Sequence, residues 1–131
     1  MGIMNVLLDT CAFIWLAMPQ GKLSTIATAL IDDPANSFYL SDVSVWEVSM
    51  KHSLGKLELP EIPRLWVPQQ TDFFRIERLP LEQEEIFRSG ELPRVHADPF
   101  DRLLAAQAME NGMTILSPDT PLSLLGASRI W

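Results

Sequence analysis

HADPFDRLLAAQAMENGMTILSPD, residues 96–119, reads as a helix, a stop and a short buried strand in close succession. Asp98 followed by Pro99 pairs a capping residue with proline at the first helical position, where the missing N–H is no loss. The helix is expected over 99–111, ended by Asn111-Gly112, which tolerate the left-handed turn at a helix terminus. MTILS, 113–117, is a β-rich apolar run, and Asp119 follows it in a Ser-Pro-Asp turn. Helices alternating with short apolar strands are the mark of an α/β fold with a parallel sheet.

The same alternation continues toward the start of the chain. Residues 3–8, IMNVLL, form a first strand that ends at Asp9, and 10–17 form a short helix stopped by Pro19. Ser24 caps a helix over 25–33 that Asp33-Pro34 closes. SFYL, 37–40, is a second strand. A third helix starts near Ser41 or Ser44 and runs to about Leu54, with Gly55 as its stop. Residues 64–71 are helical in pattern, weakened by Pro68. FFRIERL, 73–79, alternates as a third strand, and LEQEEIFRS, 81–89, is an amphipathic helix ended by Gly90. Residues 121–125 make a helical turn, and ASRIW, 127–131, a final edge strand. There is no repeat, linker or low-complexity segment, so a single domain over 1–131 is expected, long enough to bury a real core.

Apolar residues make up 47% of the chain, yet no run of them is long enough to span a membrane. The opening MGIMNVLLDTCAFIWLA is apolar but has no basic flank and carries Asp9 in its middle. It reads as a buried strand and helix, not as a signal peptide. The one cysteine, Cys11, allows no intrachain disulfide, which fits a reducing cytoplasm. A net charge of −7 argues against gripping nucleic acid by bulk positive charge. It does not exclude a nuclease, because cations filling an acidic site make it attractive to phosphate. It also suits a basic partner.

In a parallel sheet, strands end and the following helices begin on one edge, where ligands bind. Asp9 ends the first strand, Glu47 lies in the first turns of the third helix, Asp98 and Asp101 open the long helix, and Asp119 follows the fourth strand. Two carboxylates about 4 Å apart repel by roughly 4 kcal/mol at an effective dielectric near 20. Such a set therefore needs cations or raised pKa values. Oxygen donors of this kind suit Mg²⁺ or Mn²⁺, and no cysteine or histidine pair has zinc spacing. Such ions activate water and stabilise a phosphate under attack, so phosphodiester hydrolysis is the natural chemistry.

Each acid also has a structural alternative. Asp9 and Asp98 suit helix caps, and Ser44-Val45-Trp46-Glu47 matches a capping box. Asp101 favours the helix macrodipole, and Asp119 suits a turn. His96 is either a side chain that orients water or binds RNA or, more simply, a surface or supporting histidine. Arg102 is expected to pair with a carboxylate or to reach a phosphate. Lys51, His52 and Lys56 form a small basic set, either for RNA or as a solvated helix face. Cys11 is either a nucleophile or, more simply, a small apolar side chain in or near the core, with no base nearby in sequence to activate it. The tryptophans read as core or interface residues, with Trp66, Leu65 and Val67 as the exposed apolar patch that meets a partner.

Four segments resemble the PIN domain, and within it the VapC-type toxins of bacterial toxin–antitoxin pairs. They are LLDTCAFIW (7–15), SDVSVWEVSMKHSLGKLELP (41–60), HADPFDRLLAAQAMENGMTILSPD (96–119) and the ending RIW. The resemblance implies a three-layer α/β/α fold around a mainly parallel sheet. It implies an Mg²⁺- or Mn²⁺-dependent endoribonuclease with RNA as substrate and a cognate antitoxin as partner. DNA would be met only indirectly through that antitoxin, and the toxin would be a homodimer. Carried over residue by residue, the catalytic and metal-holding acids are Asp9, Glu47, Asp101 and Asp119. Asp98 belongs to the DPFDR pattern as an additional or supporting ligand. Thr10 matches a small hydroxyl position, and Thr10 and Arg102 are candidate RNA-phosphate contacts.

Two other readings compete. A phosphorylatable receiver domain needs an acceptor aspartate after the third strand and a late lysine. Here the third strand ends in Leu79-Pro80, and Lys22, Lys51 and Lys56 all lie in the first half. In a non-catalytic PIN-like binding module the acids would be structural.

Overall fold

In the computed structural model, which describes residues 3–131, the apolar segment that opens the chain becomes the middle of a sheet. Residues 1 and 2 of that segment lie outside the described residues. The elements run β1 (Asn5–Leu8), α1 (Thr10–Ala17), α2 (Thr25–Asp32), β2 (Ser37–Ser41), α3 (Asp42–Ser53), α4 (Pro63–Phe74), β3 (Ile76–Leu79), α5 (Gln83–Glu91), α6 (Pro99–Asn111), β4 (Thr114–Leu116), α7 (Pro121–Leu124) and β5 (Arg129–Ile130). The strands form one sheet in the order β3-β2-β1-β4-β5, and every pairing is parallel.

Successive side chains of a strand point to opposite faces, and β1 shows what that does here. Val6 and Leu8 pack into one core with Phe13 and Trp66, while Leu7 packs into a second with Leu104, Ile115 and Leu122. These three β1 side chains, Val6, Leu7 and Leu8, are fully buried. A strand covered on both faces reads as a continuous apolar run, and the result is the expected three-layer α/β/α arrangement. The order also excludes the receiver reading. In that doubly wound order the third strand lies next to the first; here β3 is an edge strand and β4 takes that place.

α6 matches the reading of its caps: Asp98 precedes it, and Gly112 ends it with φ 62°. The chain between α3 and β3 departs from expectation. α4 opens on Pro63, carries Pro68 inside and runs through Phe74; Arg75 then takes φ 55° and β3 starts only at Ile76. The alternation at 73–75 therefore belongs to a helix end, where Phe74 packs on the core and Phe73 stays exposed. α5 continues through Gly90 to Glu91.

The tryptophan assignment is corrected as well. Trp66 is 2% exposed and meets Phe13 edge-on at 5.5 Å, and Val67 is buried beside it. Of the proposed patch only Leu65 is exposed. The tryptophan at the surface is Trp46, which leans edge-on against Phe100 at 4.9 Å.

Candidate active site

The sheet order reverses at β1, with β2 and β3 on one side and β4 and β5 on the other. Ligand crevices of parallel sheets form at such a reversal, beyond the strand ends. Asp9 stands at this seam: its N–H donates to Leu116 O at 3.2 Å, tying the end of β1 to the end of β4. Its Oδ1 accepts the Ala12 N–H at 2.7 Å, so Asp9 also caps α1. Ser117, directly after β4, holds Asp9 and Asp119 together. Its hydroxyl hydrogen-bonds the Asp9 carboxylate, and its oxygen accepts the Asp119 N–H at 3.0 Å.

Asp9 is 2% exposed, and burial is the main force pushing its pKa up to about 7. The bonds from Ser117 and Ala12 oppose the rise; the charges of Asp119 and Asp101 add to it. Asp101 is shifted upward too, again by burial first, with His96 opposing and Asp98 and Asp119 adding. The charge of Asp119 thus reaches both Asp9 and Asp101 across a single edge.

Around Asp101 the geometry is tight. His96 Nε2 lies 2.8 Å from Asp101 Oδ2. Asp98 Oδ1 accepts from Phe100 N at 2.8 Å and from Asp101 N at 3.3 Å, so its capping role holds. Donor atoms of His96, Asp98 and Asp101 all lie within 4.8 Å of one another, a grouping found among the described residues. The sequence alone leaves His96 between a role at the acids and a place on the surface. The signal that could have raised it is its place two residues before Asp98 and five before Asp101.

Glu47 reaches the site differently from expectation. Ser41, not Ser44, caps α3, its Oγ accepting from Val43 N at 2.9 Å, so the capping-box alternative for Glu47 fails. Glu47 is buried and both its oxygens are taken. Oε1 accepts the Thr10 hydroxyl at 2.6 Å, and Oε2 accepts from Lys51 Nζ at 2.6 Å. The Thr10 oxygen is also 3.0 Å from Ser44 Oγ. Lys51 is half exposed yet paired with Glu47, and this hydrogen bond holds its pKa above the usual lysine value.

Three further expectations are corrected. Thr10 is 5% exposed and committed to Glu47, so it is not open to an RNA phosphate. Arg102 pairs with neither a carboxylate nor an open phosphate position. Its guanidinium donates to the carbonyls of Ser89, Pro93, His96 and Leu92 at 2.8–3.1 Å, binding down the loop that carries His96. Cys11 is exposed, not near-core. Loss of water around its sulfur, then the charges of Asp9, Asp119 and Glu47, push its thiol up to about 11, the reverse of an activated nucleophile.

The donors at this edge are carboxylate oxygens and one imidazole, which suit a hard divalent cation such as Mg²⁺ or Mn²⁺.

A sequence model of the PIN domain matches residues 6–126. No curated protein sequence matches the chain. Among solved structures, VapBC2 from Rickettsia felis bound to a DNA fragment from its promoter superposes with a TM-score of 0.68 at 15% identity, covering 97% of this chain and 98% of that one. FitAcB from Neisseria gonorrhoeae gives 0.66 at 17% identity, covering 96% of each chain. VapBC-5 from Mycobacterium tuberculosis, a member of the VapBC family of toxin–antitoxin systems, gives 0.59 at 18% identity, covering 96% and 95%. At these identities the likeness is one of fold.

Proposed function

The chain belongs to the PIN domain family, and from that premise we propose that it is a divalent-metal-dependent endoribonuclease, the toxin of a toxin–antitoxin pair acting in the cytoplasm. The observation that carries the reading is Asp9: a buried carboxyl at the β1–β4 seam, its pKa pushed up to about 7 chiefly by burial, with Asp119 and Asp101 adding. Asp9, Asp101 and Asp119 would hold Mg²⁺ or Mn²⁺. When bound, such an ion supplies Lewis acidity toward a phosphodiester and a water made nucleophilic near neutral pH. The chain's own part is placement. Ser117 sets Asp9 and Asp119 in one frame, His96 orients Asp101, and Thr10 fixes Glu47 at the rim. Asp98 caps α6 and serves as an additional or supporting ligand beside Asp101.

The partner class is a cognate antitoxin, supported by fold neighbours solved as VapBC and FitAcB assemblies. DNA would be reached only through that antitoxin. Exposed Leu54, Ile62 and Leu65 offer apolar surface for protein contacts, including a homodimer. No helix among the described residues is long and apolar enough to cross a membrane.

The test is Asp9→Asn, which keeps the side-chain oxygen that caps α1, assayed for RNA cleavage with Mn²⁺. Loss of cleavage with retained fold is expected; unchanged cleavage would remove the proposal. Absence of both Mn²⁺ binding and cleavage in the unaltered chain would favour the non-catalytic binding module.

A further inference from the structure

We infer that the cavity between the end of α5, the 92–98 loop and the start of α6 is a phosphate subsite, in which Arg94 grips a backbone phosphate of the strand held beside the acidic edge. That the cavity takes phosphate follows from its own lining. That the phosphate belongs to an RNA strand rests on the nuclease reading above.

The chain carries 17 acidic residues against 10 lysines and arginines and two histidines. The cavity, about 340 Å³, is lined by Gly90, Arg94, His96, Ala97 and Arg102. Two arginines and a histidine stand there, and no carboxylate, which reverses the balance of the chain as a whole. Neither arginine joins an ion pair among the described residues. Arg102 commits four N–H donors to the carbonyls of Ser89, Pro93, His96 and Leu92, so it holds the wall in place and lends charge. Arg94 is exposed, and its planar fork suits two oxygens of one phosphate.

Gly90 is an independent sign of the same thing. It lies near the end of α5, where glycine is a poorer helix former than alanine. Its φ is outside the left-handed region, and a Cβ built on it would meet nothing within 4 Å. Neither backbone conformation nor packing calls for glycine here. A side chain at this position would take up room in the cavity, and glycine leaves that room open.

His96 joins the cavity to the acids. Its ring lines the cavity while Nε2 lies 2.8 Å from Asp101 Oδ2, and Arg102 follows Asp101 directly on α6. A phosphate contact at Arg94 would hold a strand in register beside the acids without reading its bases. It gives a chain of net charge −7 the local positive point that its bulk charge does not supply.

The first probe is inorganic phosphate, titrated with chelator into the full ¹⁵N-labelled chain at an ionic strength held constant with chloride. NMR shifts of the 90–97 segment and of the Arg94 Nε–H are expected to saturate. Arg94→Gln should abolish them, and so should Gly90→Leu, which fills the cavity but keeps both guanidiniums. Arg64→Gln removes one charge from an exposed arginine on α4 and should leave the shifts intact. The second probe is oligouridylate cleaved with Mn²⁺. Arg94→Gln should raise KM on the order of tenfold at unchanged kcat. The slope of log kcat/KM against log salt should flatten by about 0.7, the value of one single-strand phosphate contact. No phosphate shifts in the parent, or shifts retained in Arg94→Gln or Gly90→Leu, would overturn the subsite whether or not RNA is cut. Phosphate shifts with KM unmoved by Arg94→Gln would overturn the strand assignment and leave a site for free phosphate. Phosphate shifts with oligouridylate uncut by the parent would overturn the nuclease reading and the strand assignment, while the phosphate site stands.

Discussion

His96 Nε2 and Asp101 Oδ2 lie 2.8 Å apart, so a residue of the loop before α6 sets the direction of a carboxylate on its first turn. A partner that orients a metal ligand typically accounts for about 10–100-fold in affinity. His96→Ala is expected to weaken Mn²⁺ binding by that order while the thermal midpoint changes little, since His96 is only partly buried. Equal Mn²⁺ affinity in variant and parent would refute the orienting role.

Asp9 gives a pH dependence with a defined sign. Its folded pKa is about 7 against an ordinary value of 3.8, so between those limits the folded state holds more protons than the unfolded one. Stability without metal should therefore fall as pH rises through this window, and the penalty should be complete above it. In urea titrations with chelator, Asp9→Asn should gain on the parent by roughly 3–4 kcal/mol at about pH 8 and by little at about pH 4. Mn²⁺ should recover the parent's loss at the higher pH. A difference that does not vary with pH would contradict the assignment.

Arg102 joins α6 to the loop that carries His96 through four carbonyls. Arg102→Ala is expected to cost roughly 2–4 kcal/mol in denaturant unfolding, because charged donors to otherwise unpaired carbonyls are worth more than average. Lysine cannot reproduce a planar fork, so Arg102→Lys should recover less than half of the loss. Amide exchange of the segment around His96 should accelerate in both variants. Full recovery by lysine would mean that charge, not fork geometry, matters here.

Cys11 provides a reporter. A thiol at about 11 should react with iodoacetamide on the order of 10–100-fold more slowly than an ordinary peptide cysteine at about pH 7.5. Part of that shift comes from Asp9, Asp119 and Glu47, so Mn²⁺ should speed the alkylation by cancelling their field. Cys11→Ser should leave RNA cleavage intact. A rate indifferent to Mn²⁺ would argue against the cation sitting where these acids converge.

What could be read from sequence was what local chemistry encodes. Asp98-Pro99 and Gly112 mark both ends of α6 by cap and turn preference alone, and the strand ends place Asp9 and Asp119 on one edge. What escaped depends on which surfaces meet. Trp66 and Trp46 exchange their expected places because Trp66 finds Phe13 across the helix layer, a contact 53 positions away that no local pattern carries. Arg102 finds carbonyls, and carbonyls have no residue signature. The Glu47–Lys51 spacing is visible in sequence, but there Lys51 groups with His52 and Lys56, either for RNA or as a solvated helix face. Only the observed 2.6 Å contact shows which partner Glu47 holds.

The seam between β1 and β4 sets a schedule for the protein's own synthesis. Asp9 is made long before the strand that closes its side, which begins at Thr114, and Asp119 follows later still. Pairings between distant parts of a chain form late in folding. A ribosome translating this message therefore carries a growing chain whose acidic edge is open and unassembled until β4 and Asp119 have been added. Whatever that edge binds, it does so only once β4 and Asp119 have emerged to close the seam.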